Sequence, residues 1–343
     1  MSLKQRVIFF IVILILPLVF IWSFQKKYIS YQGSVMGTTF SVKCYSPIWI
    51  SKVKIINEIN SSFSYMNSVF STWDSDSEIS LINKVSSNVI QPTSKPFLDV
   101  LNLSVYLNEL SAGAFDPTIK PVIDLWGFNN KNSYYKIPSQ SAINNVSSYI
   151  GLNNIIINDN SILKKQDNVV LDLSSIAKGY AVDYISAKLK EFNIQNFMIE
   201  LGGEVIVSTP PNKSKSSWKL GIVSPHFNYA NQELFVSLNL RNKALATSGD
   251  YRNYFVEDNV AYTHIFDPLS LRPIKTNIAS VSVIAETCAM ADGLATAIMV
   301  LGKERGIALV EALDNVEAMI IERVTFDEFL TYYSSNFNQY INN

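Results

Sequence analysis

The sequence predicts an α+β protein whose sheets are largely antiparallel. Between residues 197 and 285, short strand-like segments follow one another with few helices between them, an order that does not fit a doubly wound parallel sheet. Longer segments with helical periodicity lie before and after these strands. The chain has 343 residues, of which 48% are hydrophobic, so it can form one large domain or two lobes.

The strands are predicted from alternating apolar residues and from the turn residues between them. A first strand is expected at 39–45, and a strand–turn–strand unit with a two-glycine turn at 197–207. The stretch 155–171 alternates strand-like runs with turns, and the polar stretches 129–148 and 209–217 are predicted surface loops. The remaining strands are expected at 218–223, 234–240, 244–247, 263–266, 278–285 and 316–321.

The helices are predicted from apolar stripes at helical spacing. The segments 55–69, 97–110 and 176–192 each carry such a stripe. A last helical region covers 290–313, and its glycines at 302–306 predict a break there.

The N-terminus predicts a membrane anchor. A basic flank precedes an uncharged apolar run at 7–24, and Lys26 and Lys27 close it. Its 18 residues, at 1.5 Å each, give about 27 Å of helix, close to the hydrocarbon thickness of a bilayer. No small-x-small cleavage site follows, which favours an uncleaved signal anchor over a cleaved signal peptide. We therefore expect an anchor at 1–27 and a domain at 28–343 on the periplasmic side of the cell inner membrane.

Composition excludes two classes of function. The formal net charge is −1, whereas binding the phosphate backbone of nucleic acid needs a positive surface. The only two histidines are His226 and His264, too few for a histidine-rich zinc site. Cys44 and Cys288 lack metal-ligand spacing and are interpreted as buried thiols, with a bridge between them as the alternative outside the cytoplasm.

The strongest local pattern is Ala-Asp-Gly-Leu-Ala-Thr at 291–296. On a helix, Asp292 and Thr296 are four residues apart and share a face. A carboxylate and a hydroxyl form a partial shell for Mg²⁺, which takes its other oxygens from water and from a phosphate substrate. For this pair alone, the commoner alternative is that Asp292 caps the helix and Thr296 is half buried.

A second pattern, at 172–183, indicates a strand end, a polar turn and a helix start. Ser174 and Ser175 are predicted N-caps, and a helix N-terminus presents N–H groups to an anion. Lys178 lies one turn into the helix, within reach of a phosphate. Gly179 costs roughly 1 kcal/mol relative to alanine inside a helix, so another group is expected to approach it closely. The alternative is an ordinary capped helix with a solvated lysine.

Two weaker patterns add candidate contacts. At 111–118 an Asp-Pro-Thr turn follows small residues that let the backbone approach a flat ligand beside Phe115. At 262–268, His264 precedes a carboxylate at a strand-to-turn junction, as a proton carrier or as a structural residue. The sequence contains no P-loop, GxGxxG or GxSxG motif. The residues alone predict an extracytoplasmic α+β protein with a candidate Mg²⁺–phosphate site.

Taken together and in order, these segments resemble the ApbE family, the FAD:protein FMN transferases. Each motif is weak alone, but their collinear order over roughly residues 30–325 is specific. The matching segments are 36–39 (Met-Gly-Thr-Thr), 70–73 (Phe-Ser-Thr-Trp), 113–117 (Gly-Ala-Phe-Asp-Pro), 125–128 (Leu-Trp-Gly-Phe), 172–183, 201–204 (Leu-Gly-Gly-Glu), 247–251 (Thr-Ser-Gly-Asp-Tyr), 264–268 (His-Ile-Phe-Asp-Pro) and 290–296.

The resemblance implies a mixed two-lobed domain that binds FAD in a cleft between the lobes. Positions around the metal in the family match Ser175, Asp292 and Thr296, with Asp292 as a ligand that acts in catalysis through the metal. His264 and Asp250 are the candidates for the general base. The flavin-contacting positions match Met36, Trp73, Ala114, Phe115, Asp116, Asp172, Lys178 and Ile265.

The reaction that the resemblance implies is Mg²⁺-dependent transfer of FMN from FAD to a threonine hydroxyl of a partner protein. A phosphoester forms and AMP leaves, while Mg²⁺ on the pyrophosphate neutralises charge at the attacked phosphorus. The family's acceptors are subunits of membrane redox complexes, which suits an anchored enzyme. Two alternatives stay open: a FAD pyrophosphatase that yields FMN and AMP, and a non-enzymatic, membrane-anchored FAD-binding protein.

Three residues depart from the family's pattern. Trp73 stands where a tyrosine is common, and an indole also stacks on an aromatic ring system. Lys178 occupies a position that is acidic in some relatives, and a cation there favours phosphate. Leu271 falls where the Asp-Pro-x-Thr-Gly-x-Pro turn has glycine, so the turn at 267–273 is expected to differ. The edge of the adenine or target-peptide site is expected to differ with it.

Overall fold

The computed structural model describes residues 25–128, 135–211, 216–226, 233–250, 254–257, 260–325 and 328–342. The apolar run at 7–24 lies outside these residues, and within them no helix combines the length and apolar character needed to cross a bilayer. Lys26 and Lys27, expected to close the anchor, begin the first strand. The anchor therefore stays a prediction.

The described strands are β1 (Lys26–Val35), β2 (Thr38–Pro47), β3 (Gln91–Pro92), β4 (Ile155–Asn158), β5 (Ser161–Lys164), β6 (Phe197–Leu201), β7 (Glu204–Val207), β8 (Trp218–Val223), β9 (Leu234–Leu240), β10 (Lys243–Gly249), β11 (Tyr254–Glu257), β12 (Val260–Thr263), β13 (Phe266–Asp267), β14 (Arg272–Pro273), β15 (Ile278–Ala285), β16 (Glu317–Arg323) and β17 (Phe329–Tyr333). The described α-helices are α1 (Lys52–Phe70), α2 (Glu78–Lys84), α3 (Lys95–Leu110), α4 (Lys120–Leu125), α5 (Gln140–Ser147), α6 (Ser174–Glu191), α7 (Cys288–Leu301) and α8 (Lys303–Glu311).

One antiparallel sheet organises the described chain, with the strand order β1-β2-β6-β7-β10-β15-β16-β17. Its central strands are covered on both faces. In β15, Val281 and Val283 join the core cluster on the helical side, where α7 packs against β10 and β15. Ile284 points the other way and joins Leu220 and Leu238 of the β8–β9 hairpin. This double cover explains why all the residues of β15 are buried, including Ser280 and Ser282.

The prediction of a mixed α+β fold with mostly antiparallel sheets is confirmed, since the smaller sheets β3-β5-β4, β8-β9, β11-β12 and β13-β14 are antiparallel too. The last helical region breaks as expected, because Gly302 adopts a φ of 83° between α7 and α8. Cys44 and Cys288 are buried free thiols, which excludes a bridge between them. The division into two lobes stays a prediction.

Three expectations about local structure are wrong. The stretch 129–148 was expected to be a loop, but its described part includes α5, which Ser139 caps and whose Ile143 is buried. The strand expected at 263–266 is divided between β12 and β13. Strand β1 was not predicted, because this edge strand buries only Ile29 fully and so has weak hydrophobic alternation.

Leu271 adopts a backbone conformation that glycine adopts without strain. Its φ is 57°, its N–H donates to the carbonyl oxygen of Asp267 at 2.8 Å, and Asp267 Oδ1 accepts from the N–H of Leu269 at 2.9 Å. A left-handed leucine costs about 1–2 kcal/mol. The side chain is only 8% exposed and packs in an apolar cluster with Trp126 and Phe266. Burial of the side chain thus offsets the strain.

Leu271→Gly is expected to lower the free energy of unfolding by about 1–2 kcal/mol, because the lost burial of a leucine and the added chain entropy exceed the relieved strain. Equilibrium urea unfolding measures this difference. Leu271→Asn is the matched control, since asparagine tolerates the left-handed backbone but does not restore the apolar contact. A glycine variant more stable than the wild type would show that backbone strain dominates at this turn.

Candidate active site

The site forms where α6 and α7 pack together through backbone. A Cβ added to Gly179 in α6 would clash with the carbonyl oxygen of Cys288, and would lie 2.7 Å from its carbonyl carbon and 2.8 Å from Ala289 Cα. At this contact the N–H of Gly179 donates to Asp292 Oδ2 at 3.0 Å. The close approach expected at Gly179 is therefore that of the neighbouring helix.

Asp292 is not a helix N-cap. Helix α7 begins at Cys288, and the side chain of Thr287 caps it. A second cap comes from α6, where the carboxylate of Asp183 accepts the N–H groups of Cys288 and Ala289 at 2.8 Å each. Asp292 lies one turn further along α7, is 4% exposed, and lines a cavity described below. The capping alternative for Asp292 is excluded.

Asp183 makes stability depend on pH. Burial raises the pKa of this carboxyl from its ordinary 3.8 to about 6, although two backbone N–H groups oppose the shift. Between these values the folded state holds a proton that the unfolded state has released. The contribution of Asp183 to the free energy of unfolding is therefore fully present below pH 3.8 and is lost as the pH rises through about 6.

We therefore expect the free energy of unfolding of the wild type, relative to Asp183→Asn, to fall between pH 4 and pH 6 by less than about 3 kcal/mol. Chemical denaturation at several pH values measures both proteins, and their difference removes the other titrating groups. A difference that rises with pH would show that the backbone N–H groups hold the carboxyl ionised.

The N-terminus of α6 is arranged differently from the prediction. Leu173 occupies the N-cap position, and neither Ser174 nor Ser175 caps the helix. Instead, Asp172 Oδ1 accepts the N–H of Ser174 at 2.9 Å. The prediction of serine N-caps is wrong, because the helix starts one residue earlier than a Ser174 cap requires. Both serines line the cavity instead.

A cavity of about 330 Å³ opens beside the first turns of α6 and the face of α7 that carries Asp292 and Thr296. The turn at 114–116, the end of β10 at 247–249 and the segment joining β12 to β13 form much of its other walls. The predicted site residues that line it are Ala114, Phe115, Asp116, Asp172, Ser175, Lys178, His264, Ile265, Asp292 and Thr296. The fold thus brings together residues that lie far apart in the sequence, while their individual roles stay predictions.

The Asp-Pro-Thr turn beside the cavity forms as predicted. Asp116 Oδ1 accepts the N–H of Thr118 at 2.8 Å and its hydroxyl at 2.6 Å. Thr118 Oγ1 in turn accepts the N–H of Gly151 at 2.6 Å. Burial raises the pKa of Asp116, against these hydrogen bonds. The turn therefore holds Phe115, which is 2% exposed, in a fixed position in the cavity wall.

Three predicted site residues do not line the cavity. Met36, with a φ of 50°, lies with Gly37 in the two-residue turn between β1 and β2, and Trp73 is 74% exposed. Asp250 accepts a hydrogen bond from Arg323 Nη2 at 3.0 Å, and burial raises its pKa to about 6 although Arg323 opposes this. Of the two candidates for the general base, His264 lines the cavity and Asp250 does not.

The oxygen donors of the site fit a magnesium ion that is bound together with its substrate. Thr296 Oγ1 lies 3.2 Å from Ser248 Oγ, and Ser175 and Asp292 line the same cavity. In the described ranges, no group of three or more His, Cys, Asp or Glu side chains could hold a metal alone. One carboxylate with hydroxyls suits Mg²⁺, which keeps waters and takes phosphate oxygens, and does not suit structural zinc.

Comparison with known proteins decides the family. The model of the ApbE family matches residues 36–320, most of the chain. The chain belongs to the ApbE family. The resemblance found in the sequence is thereby confirmed, and with it the prediction of an enzyme.

Curated relatives and solved structures agree with this membership. An FAD:protein FMN transferase of Vibrio cholerae is 35% identical over 311 residues, which cover 90% of this chain and 92% of that protein. One from Haemophilus influenzae is 34% identical over 322 residues, with 92% of each chain covered. The solved flavin transferase ApbE from Vibrio cholerae matches with a TM-score of 0.81 and 33% identity, covering 92% of this chain and 99% of that one. The flavinyl transferase ApbE of Pseudomonas stutzeri, in its apo form, matches with a TM-score of 0.82 and 31% identity, covering 92% and 97%.

Within this ApbE fold, Lys178 forms an ion pair. Its Nζ lies 2.5 Å from Glu204 Oε1, and the side chains are 25% and 1% exposed. The alternative of a solvated lysine is therefore excluded. Glu204 begins β7 after a turn in which Gly202 and Gly203 have φ values of 62° and 103°. Sequence reasoning missed Glu204 as a site residue because nothing in the sequence indicated its pairing with Lys178.

Proposed function

We propose that this ApbE-family chain transfers FMN from FAD to a threonine hydroxyl of an acceptor protein, in a Mg²⁺-dependent reaction that forms a phosphoester and releases AMP. The names of the relatives support FAD and a protein acceptor as substrates. One observation carries the finer proposal: Asp292, Thr296 and Ser175 meet in the same cavity as the N-terminus of a long helix. This combination suits a metal-bound pyrophosphate.

In this proposal Asp292 and Thr296 hold the metal, and Ser175 supports it. The bound Mg²⁺ supplies charge neutralisation on the pyrophosphate, including the charge that develops on the departing AMP. The N–H of Gly179 fixes one carboxylate oxygen of Asp292, so the ligand is oriented before substrate arrives. The partial positive charge at the start of α6 adds to the attraction for the phosphates.

His264 is the proposed general base. It lines the cavity together with the turn at 114–116 and residues of α6 and α7, and a neutral imidazole accepts a hydroxyl proton near neutral pH. The threonine oxygen then attacks the phosphorus on the FMN side, its proton passes to His264, and the bond to the AMP phosphate breaks. Asp250 is committed to Arg323 and takes no part in this transfer.

The flavin extends beyond the cavity in this proposal. A volume of about 330 Å³ lies at the lower end for small-molecule sites, roughly 300–1,000 Å³, and FAD carries two ring systems. One ring system enters beside Phe115. The other stacks on Trp73, which is 74% exposed.

The acceptor and the cellular location belong to the same proposal. We take the acceptor to be a subunit of a membrane redox complex, and the enzyme to be held at the inner membrane by residues 1–27 with its catalytic domain on the periplasmic side. The apolar run at 7–24, preceded by basic residues, supports this placement.

The test incubates the full-length chain with FAD, Mg²⁺ and detergent-solubilised membrane proteins of the source cell. Peptide mass spectrometry then searches for an FMN mass on a threonine. We expect such a peptide with Mg²⁺ and none with EDTA. Free FMN and AMP without a modified peptide would favour the pyrophosphatase, and unchanged FAD would leave the non-enzymatic FAD-binding protein.

A further inference from the structure

The cavity carries an excess of negative charge. In the part of the chain that the structure describes, Lys178 is the only lysine or arginine that lines it. The acidic residues that line it are Asp116, Asp172, Glu204 and Asp292. A pyrophosphate group that enters without a cation is therefore repelled, because the low effective dielectric of a partly buried site strengthens charge–charge interactions.

Glu204 neutralises Lys178, the cationic side chain that the described part of the cavity wall offers against this repulsion. Its Oε1 lies 2.5 Å from Lys178 Nζ, and its side chain is almost fully buried. Its second oxygen, Oε2, is buried and accepts no hydrogen bond from any residue that the structure describes. A buried carboxylate oxygen without a donor is costly. Packing alone does not account for such a residue in the cavity wall.

We propose that Glu204 is a specificity-determining residue that makes FAD binding conditional on the divalent cation. By neutralising Lys178, it leaves the pyrophosphate charge to be balanced by Mg²⁺, so the site selects magnesium-bound FAD over free FAD. This inference rests on the proposed function, since it takes FAD as the ligand and Mg²⁺ as its metal.

The two members of the pair have opposite expected effects. Glu204→Gln keeps the shape and an acceptor for Lys178 but removes the negative charge beside the ammonium, so FAD in EDTA should bind about tenfold more tightly. Lys178→Met leaves a buried carboxylate uncompensated, so FAD in EDTA should bind about tenfold more weakly. With saturating Mg²⁺, the change in FAD affinity should shrink to about threefold or less in both variants, because the charge of the metal then dominates the electrostatic potential at the pyrophosphate.

A matched control lies on the same hairpin. Glu200 in β6 accepts the N–H of Gly203 at 2.9 Å but does not line the cavity. Glu200→Gln removes the same charge and should leave FAD affinity within about twofold. Riboflavin, which has no phosphate, is the second control. Its affinity should not change in any of the three variants.

Calorimetric titration of the full-length proteins with FAD, in MgCl₂ and in EDTA, tests the inference. Opposite shifts for Glu204→Gln and Lys178→Met in EDTA, with riboflavin unaffected, are the expected result. Equal or weaker FAD binding by Glu204→Gln in EDTA would overturn the inference, as would a parallel change in riboflavin affinity. If the inference fails in this way but the wild type binds FAD with Mg²⁺, the proposed function is not contradicted. If the wild type binds FAD neither in MgCl₂ nor in EDTA, both the inference and the proposed function are wrong.

Discussion

Replacing Asp292 with alanine is expected to lower the rate of FMN transfer by at least about a thousandfold, because the several kcal/mol of charge stabilisation from the proposed Mg²⁺ would be lost. The reason lies in the donor set: Asp292 is the carboxylate in the wall beside Thr296 and the start of α6. The rate is measured as FMN-modified threonine per enzyme, by mass spectrometry, with Mg²⁺ in excess.

Asp292→Asn distinguishes a loss of metal binding from a loss of packing. The amide keeps an oxygen that accepts the N–H of Gly179, as Oδ2 does now at 3.0 Å, but it loses the charge that we propose binds Mg²⁺. We expect the asparagine variant to unfold at nearly the wild-type temperature and still to transfer FMN poorly. Transfer at the wild-type rate by Asp292→Asn would remove Asp292 from the metal site.

Gly179→Ala is expected to lower the free energy of unfolding by about 3 kcal/mol or more, at the upper end for overpacking, because the added methyl meets backbone that has no freedom to move aside. The atoms that it meets belong to Cys288 and Ala289 at the start of α7. The clash is relieved only if α6 and α7 move apart. This movement also breaks the hydrogen bond from the N–H of Gly179 to Asp292. Thermal and urea unfolding measure the loss.

Gly293→Ala is the matched control for Gly179→Ala. Gly293 is also a helical glycine, but its added methyl would clash with the terminal Cδ1 of Leu107, which is the end of a flexible side chain. Alanine also gains about 1 kcal/mol of helix propensity over glycine. The control should therefore be clearly more stable than Gly179→Ala. Equal stability of the two variants would show that the helices do not touch through backbone at Gly179.

Periodicity predicted the regular elements well because they bury one face. Helix α1 was expected at 55–69 and runs from Lys52 to Phe70, with a buried stripe that includes Ile55 and Phe63. Strand β15 was predicted with the bounds that it has. The predictions failed for elements that bury few residues. The short helix α5 buries only Ile143 among its residues, so a polar composition was mistaken for a loop.

The site was predicted in part, because short motifs hold residues that are close in sequence, whereas ion pairs join residues that are distant. The motif at 172–183 indicated Lys178 but not its partner Glu204, 26 residues away. Asp250 was a reasonable candidate base by composition. Its partner Arg323 lies 73 residues further on, and no local pattern links the two. Such pairings depend on the order of strands in the sheet, which periodicity does not determine.

The backbone contact between α6 and α7 has a consequence for engineering. The proposed metal ligands lie on two helices that Gly179 lets touch, whereas much of the cavity wall at 114–116 and 264–268 belongs to turns and short connections. Loops accept exchange and insertion far more readily than packed helices do. With Phe115 and His264 kept, the rest of the rim could therefore be redesigned for a new acceptor sequence while the helix pair is left intact, which would make this fold a portable tool for attaching flavin to chosen proteins.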